Sequence, residues 1–301
     1  MHDIIVVGGG PAGLTAALYA LRAGKRVLLI EKNGFGGQMT FSPKIENYPG
    51  YTSISGSELA DKMVDQVLEQ GADVAVEEVK YINLNPIGTK TVITDATHYE
   101  CNAVILATGA KHRLLGVPGE TKFVGDGISF CAVCDGAFYE GKNVIVVGGG
   151  NSALQEALLL SETSKSVTVV QNLDSFTGEK RLSDLLTAKS NVTVRFGCTV
   201  KEFVGEDTLC GIVIINENGE EETLITDGVF VAIGLAPENE AFSEIVTLDR
   251  GYISAENDMS TRTEGIFTAG DCRVKTVRQI ATAVSDGAVA ALSACEYIDR
   301  K

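Results

Sequence analysis

Asp3-Ile4-Ile5-Val6-Val7-Gly8-Gly9-Gly10-Pro11-Ala12-Gly13 runs an apolar strand straight into Gly-x-Gly-x-x-Gly and then into an apolar helix through Ala23. A second strand over residues 27–30 follows and ends at Glu31. Each part has a mechanical reason. Gly8 permits a tight turn, Gly10 lets a pyrophosphate approach the backbone, and Gly13 lets the helix pack closely on the strand. The helix N-terminus then faces the phosphates with its partial positive charge. Glu31 stands where a carboxylate bonds the hydroxyls of an adenosine ribose. Strand, turn, helix, strand and acid together predict a dinucleotide-binding unit.

The pattern recurs in the middle of the chain: strand Asn143–Val147, then Gly148-x-Gly150-x-x-Ala153, a helix to about Ser161, and strand Ser166–Val170. Alanine in the third position still allows close packing. The chain therefore predicts an α/β protein with two Rossmann-like three-layer domains. After the second strand of this repeat come Gln171-Asn172-Leu173-Asp174-Ser175. That run has neither the acid of an NADH site nor the arginines that hold the 2′-phosphate of NADPH. Lys180 and Arg181 come only later.

Between the two glycine turns lies Cys131-Ala132-Val133-Cys134-Asp135-Gly136. Thiols so close together serve redox exchange or metal binding rather than structural stapling. A zinc site needs a second ligand pair at matching spacing. The other five cysteines are scattered singly and only three histidines exist, so the pair reads as a redox dithiol with no metal site.

Two further strand ends attract attention. Residues 99–106 read as a strand leading into Ala107-Thr108-Gly109-Ala110, and 265–268 as one leading into Ala269-Gly270-Asp271. An aspartate after a glycine at a strand end is well placed to bond a ribityl or ribose hydroxyl. Arg278-Gln279-Ile280 then opens an alanine-rich helix to about Tyr297, its N-terminus toward a ligand.

The bulk numbers set bounds. A chain of 301 residues has room for two domains. Seven cysteines, an odd count behind a start without signal-peptide character, suit a reducing cytoplasm. Residues 4–21 lack charge, but Gly8-Gly9-Gly10-Pro11 and Gly13 break any membrane helix there, so no membrane association is expected. A net charge of −15 argues against nucleic acid as a partner. Residues 114–242 hold 19 acidic and 8 basic side chains, so the middle of the chain is its most acidic part.

These blocks, in this order, resemble the low-molecular-weight thioredoxin reductases of the pyridine-nucleotide-disulfide reductase superfamily. The resemblance rests on Gly8 to Gly13, Gly36-Gly37-Gln38, Glu46-Asn47-Tyr48-Pro49-Gly50, Ala107 to Ala110, Cys131 to Gly136, Gly148 to Ala153, and Ala269-Gly270-Asp271 with Arg278-Gln279. It implies a split FAD-binding domain, residues 1–113 and 244–301. Within it an NADPH-binding-like domain, 117–241, is inserted and carries the dithiol. It implies FAD held by Gly8, Gly10, Pro11, Ala12, Gly13, Glu31, Gly37, Gln38, Asn47, Thr108, Gly109, Gly270, Asp271, Arg278, Gln279 and Ile280. Electrons would pass by way of FAD to the Cys131–Cys134 disulfide and on to thioredoxin. By the same analogy Cys134 faces the flavin, Cys131 attacks thioredoxin, Asp135 moves protons, the inserted domain rotates, and the protein is a homodimer.

Two departures bear on the electron donor, the first being Asn151 where NADPH-dependent members carry Asp. NADPH-dependent members carry a His-Arg-Arg type cluster where this chain has Gln171-Asn172-Leu173, and without it the 2′-phosphate loses its charge-assisted clamp. The reading therefore favours the ferredoxin-dependent flavin type, with an NADPH-dependent reductase as the alternative. An acidic ferredoxin would need a basic patch, for which Lys111, His112, Arg113, Arg273, Lys275 and Arg278 are the candidates. A flavin dithiol oxidase that gives electrons to oxygen is a rival from another class, as is a flavin-binding redox sensor.

Overall fold

The computed structural model describes residues 1–42 and 44–301. In chain order the first segment gives β1 (His2–Val7), α1 (Pro11–Arg22), β2 (Val27–Glu31), α2 (Gly56–Glu69), β3 (Asp73–Val76), β4 (Val79–Leu84), β5 (Lys90–Thr94) and β6 (His98–Leu106). β1 is buried along its apolar run, as a strand covered on both faces must be. Pro11 opens α1, where its missing N–H costs nothing. Ser55 caps α2 by accepting from the Glu58 amide at 3.1 Å.

β1 lies between β2 and β6, parallel to both, and β2 carries β3 on its other edge. β6 is long enough to serve two neighbours. Its first half pairs antiparallel with β5, which pairs with β4, while its second half pairs parallel with a strand from the far end of the chain.

The middle of the chain contributes β7 (Ala110–His112), α3 (Glu120–Phe123), β8 (Ile128–Ser129), α4 (Ala132–Asp135), β9 (Asn143–Val147), α5 (Asn151–Ser161), β10 (Ser166–Val170), α6 (Lys180–Thr187) and β11 (Val192–Arg195). Next come β12 (Thr199–Gly205), β13 (Leu209–Ile215), β14 (Glu221–Ile225) and β15 (Gly228–Val231). A parallel sheet runs β11-β10-β9-β15-β8, and β12-β13-β14 form an antiparallel meander. The meander turns at Asn218-Gly219, where Gly219 takes φ 79°. The chain then returns through β16 (Leu235–Pro237), β17 (Leu248–Asp249), β18 (Tyr252–Ile253), β19 (Ile266–Thr268) and α7 (Ile280–Asp299). β19 is the strand that completes the first sheet.

Two compact units result: Met1–Lys111 with Ala236–Lys301, and His112–Leu235 nested between them. Both are Rossmann-like α/β units. The return crossing falls between Leu235 and Ala236, and residues 236–242 are fastened to the first unit. Asn239, 1% exposed, accepts from Thr108 Oγ1 at 2.7 Å and donates to the carbonyls of Gly251 and Cys272. Phe242 joins the core around Ile5 and Leu106. The outward crossing, between Lys111 and His112, falls earlier than the sequence suggests. Glu120 accepts from the amides of Leu115 and Gly116, and Leu115 packs on the core of the second unit. No helix among the described residues is long and apolar enough to cross a membrane.

Candidate active site

In the first unit the three glycines of the turn differ in what surrounds them. Gly8 takes φ 108°, and an added Cβ would sit 2.3 Å from the Ala107 carbonyl oxygen. At Gly13 a Cβ would lie 1.8 Å from the Gly8 oxygen, because α1 rests directly on the turn. Over Gly10 there is nothing within 4 Å. Two glycines are needed for packing and the third fronts open space. Glu31, at the end of β2, accepts from the amides of Gly9 at 2.7 Å and Asn33 at 3.0 Å, which orient its carboxylate. Beside it opens a cavity of about 430 Å³, bounded by Gly8, Glu31, Glu77, Thr108 and Phe242. Gly37, at φ 59°, lies against Gly10, its Cβ position 3.3 Å from the Gly10 Cα.

The C-terminal segment brings the remaining predicted residues to the same unit. Gly270, at φ 82°, packs against Ala12, and Asp271 follows it. Asp271 Oδ1 is buried without a hydrogen-bond partner, and burial raises its carboxyl against the pull of Lys275 and Arg278. Asn47 donates to the Gln279 side chain at 3.2 Å, and Gln279 caps α7 in a reciprocal pair with Thr282. Ile280 starts α7. Arg278 is spent locally. Its guanidinium donates to the carbonyls of Asp271, Arg273 and Lys275 and lies over the Tyr252 ring at 4.3 Å. Gln38 is exposed, Thr108 is held by Asn239, and Gly109 takes φ 69°. Open space over Gly10 and an orphaned buried carboxyl oxygen on Asp271 both fit a dinucleotide with a polyol linker, so these residues suit FAD.

Asp286 was not expected from the sequence. From α7 it accepts from the Gly270 amide, from Arg273 Nε and Nη2, and from Lys275 Nζ at 2.8–3.1 Å. It therefore fixes the turn that presents Asp271. Burial pushes its carboxyl up, but the two cations outweigh that and hold it below the usual range. Gly287 beside it lets α7 cross α1, its Cβ position 2.2 Å from the Ala12 oxygen.

In the second unit Cys131 and Cys134 form a disulfide with Cα atoms 5.3 Å apart. They sit where β8 ends and α4 begins. Cys131 caps that short helix, and its Sγ accepts from the Cys134 amide at 3.2 Å. The Cys131 amide donates to Ser129 Oγ, which in turn donates to Asp135 Oδ2 at 2.6 Å. Asp135 Oδ1 is buried and unpartnered, and burial raises this carboxyl, opposed by the Ser129 hydroxyl. Val133, between the two sulfurs in sequence, is 61% exposed.

The second glycine turn copies the first in backbone. Gly148 takes φ 133°, with a Cβ position 2.5 Å from the Ala232 oxygen. Its surroundings differ. Gln171 occupies the strand end where the first unit has Glu31. It is 4% exposed, lies against Gly149, and donates to the Ser175 carbonyl at 3.2 Å. The amides of Thr177 and Gly178 donate to the Gly149 oxygen, and Asn151 accepts from the Glu179 amide at 2.6 Å. Lys180 does not reach back toward the turn but bonds both carboxylate oxygens of Asp184.

The expected basic patch does not survive as a set of free cations. Lys111 pairs with Glu238, Arg273 and Lys275 with Asp286, and Arg278 with carbonyls. His112 stacks on Phe130 at 4.8 Å, and burial lowers its pKa to about 4, so it is neutral. Lys111 and Arg113 are the exposed members of the six. The reason is local chemistry: three of these cations lie in a segment that folds around one buried carboxylate and the end of β19.

The family described as pyridine nucleotide-disulphide oxidoreductase matches residues 2–287. The chain is 41% identical to the thioredoxin reductase of Listeria monocytogenes, over 99% of this chain and 94% of that one. It is also 41% identical to a 34.2 kDa protein in the rubredoxin operon of Clostridium pasteurianum, over 99% and 98% of the two chains. The crystal structure of thioredoxin reductase from Streptococcus pyogenes superposes with a TM-score of 0.95 at 41% identity, covering 100% of this chain and 99% of that one. With both glycine turns, the disulfide and the full-length agreement in hand, the chain belongs to the low-molecular-weight thioredoxin reductase family of the pyridine nucleotide-disulphide oxidoreductases.

Proposed function

We propose that this thioredoxin reductase draws its electrons from ferredoxin and delivers them through Cys131–Cys134 to thioredoxin. The first unit is the FAD-binding domain and the second the dithiol carrier. Bound FAD supplies the conversion of single electrons into a pair. The chain's own residues then handle sulfur and protons. Two electrons entering the disulfide cleave the S–S bond and leave two thiolates. Asp135, kept protonated longer than an exposed aspartate, gives its proton to one of them. The Cys134 amide at Cys131 Sγ favours negative charge on that sulfur, which suits Cys131 as the thiolate that attacks thioredoxin. Cys134, beside Asp135, is then the sulfur served by the acid and turned to the flavin.

The choice of ferredoxin rests on Gln171. A strand-end residue that is buried and bonded to its own loop offers no cation to a 2′-phosphate, and Lys180 is held by Asp184. Anaerobic titration with NADPH, NADH and reduced ferredoxin, following flavin absorbance, tests this. Ferredoxin should bleach the flavin stoichiometrically. Prompt bleaching by micromolar NADPH would assign the NADPH-dependent alternative.

A further inference from the structure

The turn that presents the unpartnered Asp271 oxygen is gripped at both ends. On one side the Gly270 amide donates to Asp286 at 3.1 Å. On the other the Cys272 carbonyl accepts from Asn239 Nδ2 at 2.9 Å. The same Nδ2 donates to the Gly251 carbonyl at 2.8 Å, while Asn239 Oδ1 accepts from Thr108 Oγ1 at 2.7 Å. Asn239 is 1% exposed, and it ties together the ends of β6 and β19, the paired strands that lead into Thr108 and Asp271. Two acceptors and one donor face it. A carboxylate here would set oxygen against two carbonyls, and an alkyl side chain would leave all three groups unpaired. The flanking residues Pro237, Glu238, Ala241 and Phe242 line the cavity beside Glu31, together with Thr108. Glu238 holds this wall from outside through Lys32 and Lys111, and Asn239 holds it from within.

We propose that Asn239 is a positioning residue for FAD: its single amide holds the strand ends bearing Thr108 and Asp271 in register, so that the cofactor meets both. The inference rests on the reading of the first unit as the FAD-binding domain. Thr108 gives its hydroxyl proton to Asn239, so any further bond at that oxygen is one it accepts. A buried network with every donor used holds its members rigidly. Groups preset in this way bind a ligand more tightly, because less order has to be imposed on binding. Without Asn239 the contacting groups remain in the chain but lose their fixed spacing, and FAD affinity falls through them.

The test is a double-mutant cycle on the full-length protein, stripped of FAD and titrated with it, affinity being read by flavin fluorescence and apoprotein Tm by calorimetry. Asn239→Ala should weaken FAD about tenfold in the parent. It should do so by less than about threefold once Asp271→Asn has removed the contact that Asn239 aligns, since residues acting as a unit fail to add. A merely structural role lowers the apoprotein Tm and gives equal fold-losses of affinity in both backgrounds. Equal losses, or an unchanged affinity, overturn the proposal. If the alanine protein does not fold, Thr108→Val, nearly the same in shape, cuts the same network at its other end. Its effect must shrink in the Asp271→Asn background in the same way, and additive losses overturn the proposal equally. Failure of the FAD reading would look different: Asp271→Asn alone would leave FAD affinity unchanged, and the proposal would fall with it.

Discussion

Replacing Gly10 by alanine separates the binding of FAD from the folding of the turn that receives it. Gly10 has φ −79° and ψ −176°, an extended conformation that any residue adopts, and an added Cβ meets nothing within 4 Å. The stability of the apoprotein should therefore change by no more than about 1 kcal/mol. The new methyl group stands in the space through which a pyrophosphate reaches the backbone. Each tenfold loss of FAD affinity removes about 1.4 kcal/mol of ligand-derived stability, and at 100 times Kd that stability is only about 2.7 kcal/mol. The holoprotein Tm should then fall toward the apoprotein Tm while the latter stays put. Gly13→Ala is the contrast. Its Cβ overlaps the Gly8 oxygen at 1.8 Å and also nears Val6 Cγ1, so α1 itself must shift. Overpacking of this kind costs about 1–3 kcal/mol in apo and holo forms alike. The chain has no tryptophan, so FAD binding is best followed by quenching of flavin fluorescence, with calorimetry giving both Tm values. A Gly10→Ala protein that binds FAD as tightly as the parent would refute the placement of the dinucleotide at this turn.

Asp286→Asn should destabilise the protein by about 3–5 kcal/mol, because Arg273 and Lys275 are left buried against a neutral amide. The folded pKa of Asp286 is depressed, so its contribution is present above its unfolded value and is lost as pH falls through the folded one. Urea unfolding at neutral pH checks the loss, and a change below about 1 kcal/mol would contradict the ion cluster. His112 runs the other way. Its folded pKa of about 4 lies below the unfolded 6.5, so the folded state loses stability as pH drops from 6.5 toward 4, by up to about 3 kcal/mol. His112→Phe keeps the stack on Phe130 and should become relatively more stable on acidification, measured as ΔΔG between pH 7.5 and 4.5. A pH-independent difference would mean the ring is not buried neutral.

What the sequence revealed and what it hid follow from the range of the forces involved. Both glycine turns were legible because strand, Gly8 or Gly148, helix and strand are neighbours along the chain, and the steric need for glycine there is local. The start of α7 was legible for the same reason, Gln279 and Thr282 closing a cap within one turn. The hold of the first unit on residues 236–242 was hidden because Asn239 and Phe242 are bound by Thr108, Gly251, Cys272 and Ile5, partners far away in sequence. Asp286 was missed although it carried a signal. It is an acid within a buried apolar stripe, among Ala283, Gly287 and Ala290. A carboxyl in such a stripe must find amides or cations in the interior. The basic patch failed because charge counts along the chain do not reveal which cations already face a buried acid.

The central claim is that a reducible sulfur pair works alongside the flavin. Anaerobic dithionite titration of the purified holoprotein, counting electron equivalents per FAD, tests it most directly. The account predicts that the parent takes up twice as many equivalents as the Cys131→Ser, Cys134→Ser double variant, the excess filling the disulfide as a two-electron couple. Equal uptake by the two proteins would contradict it.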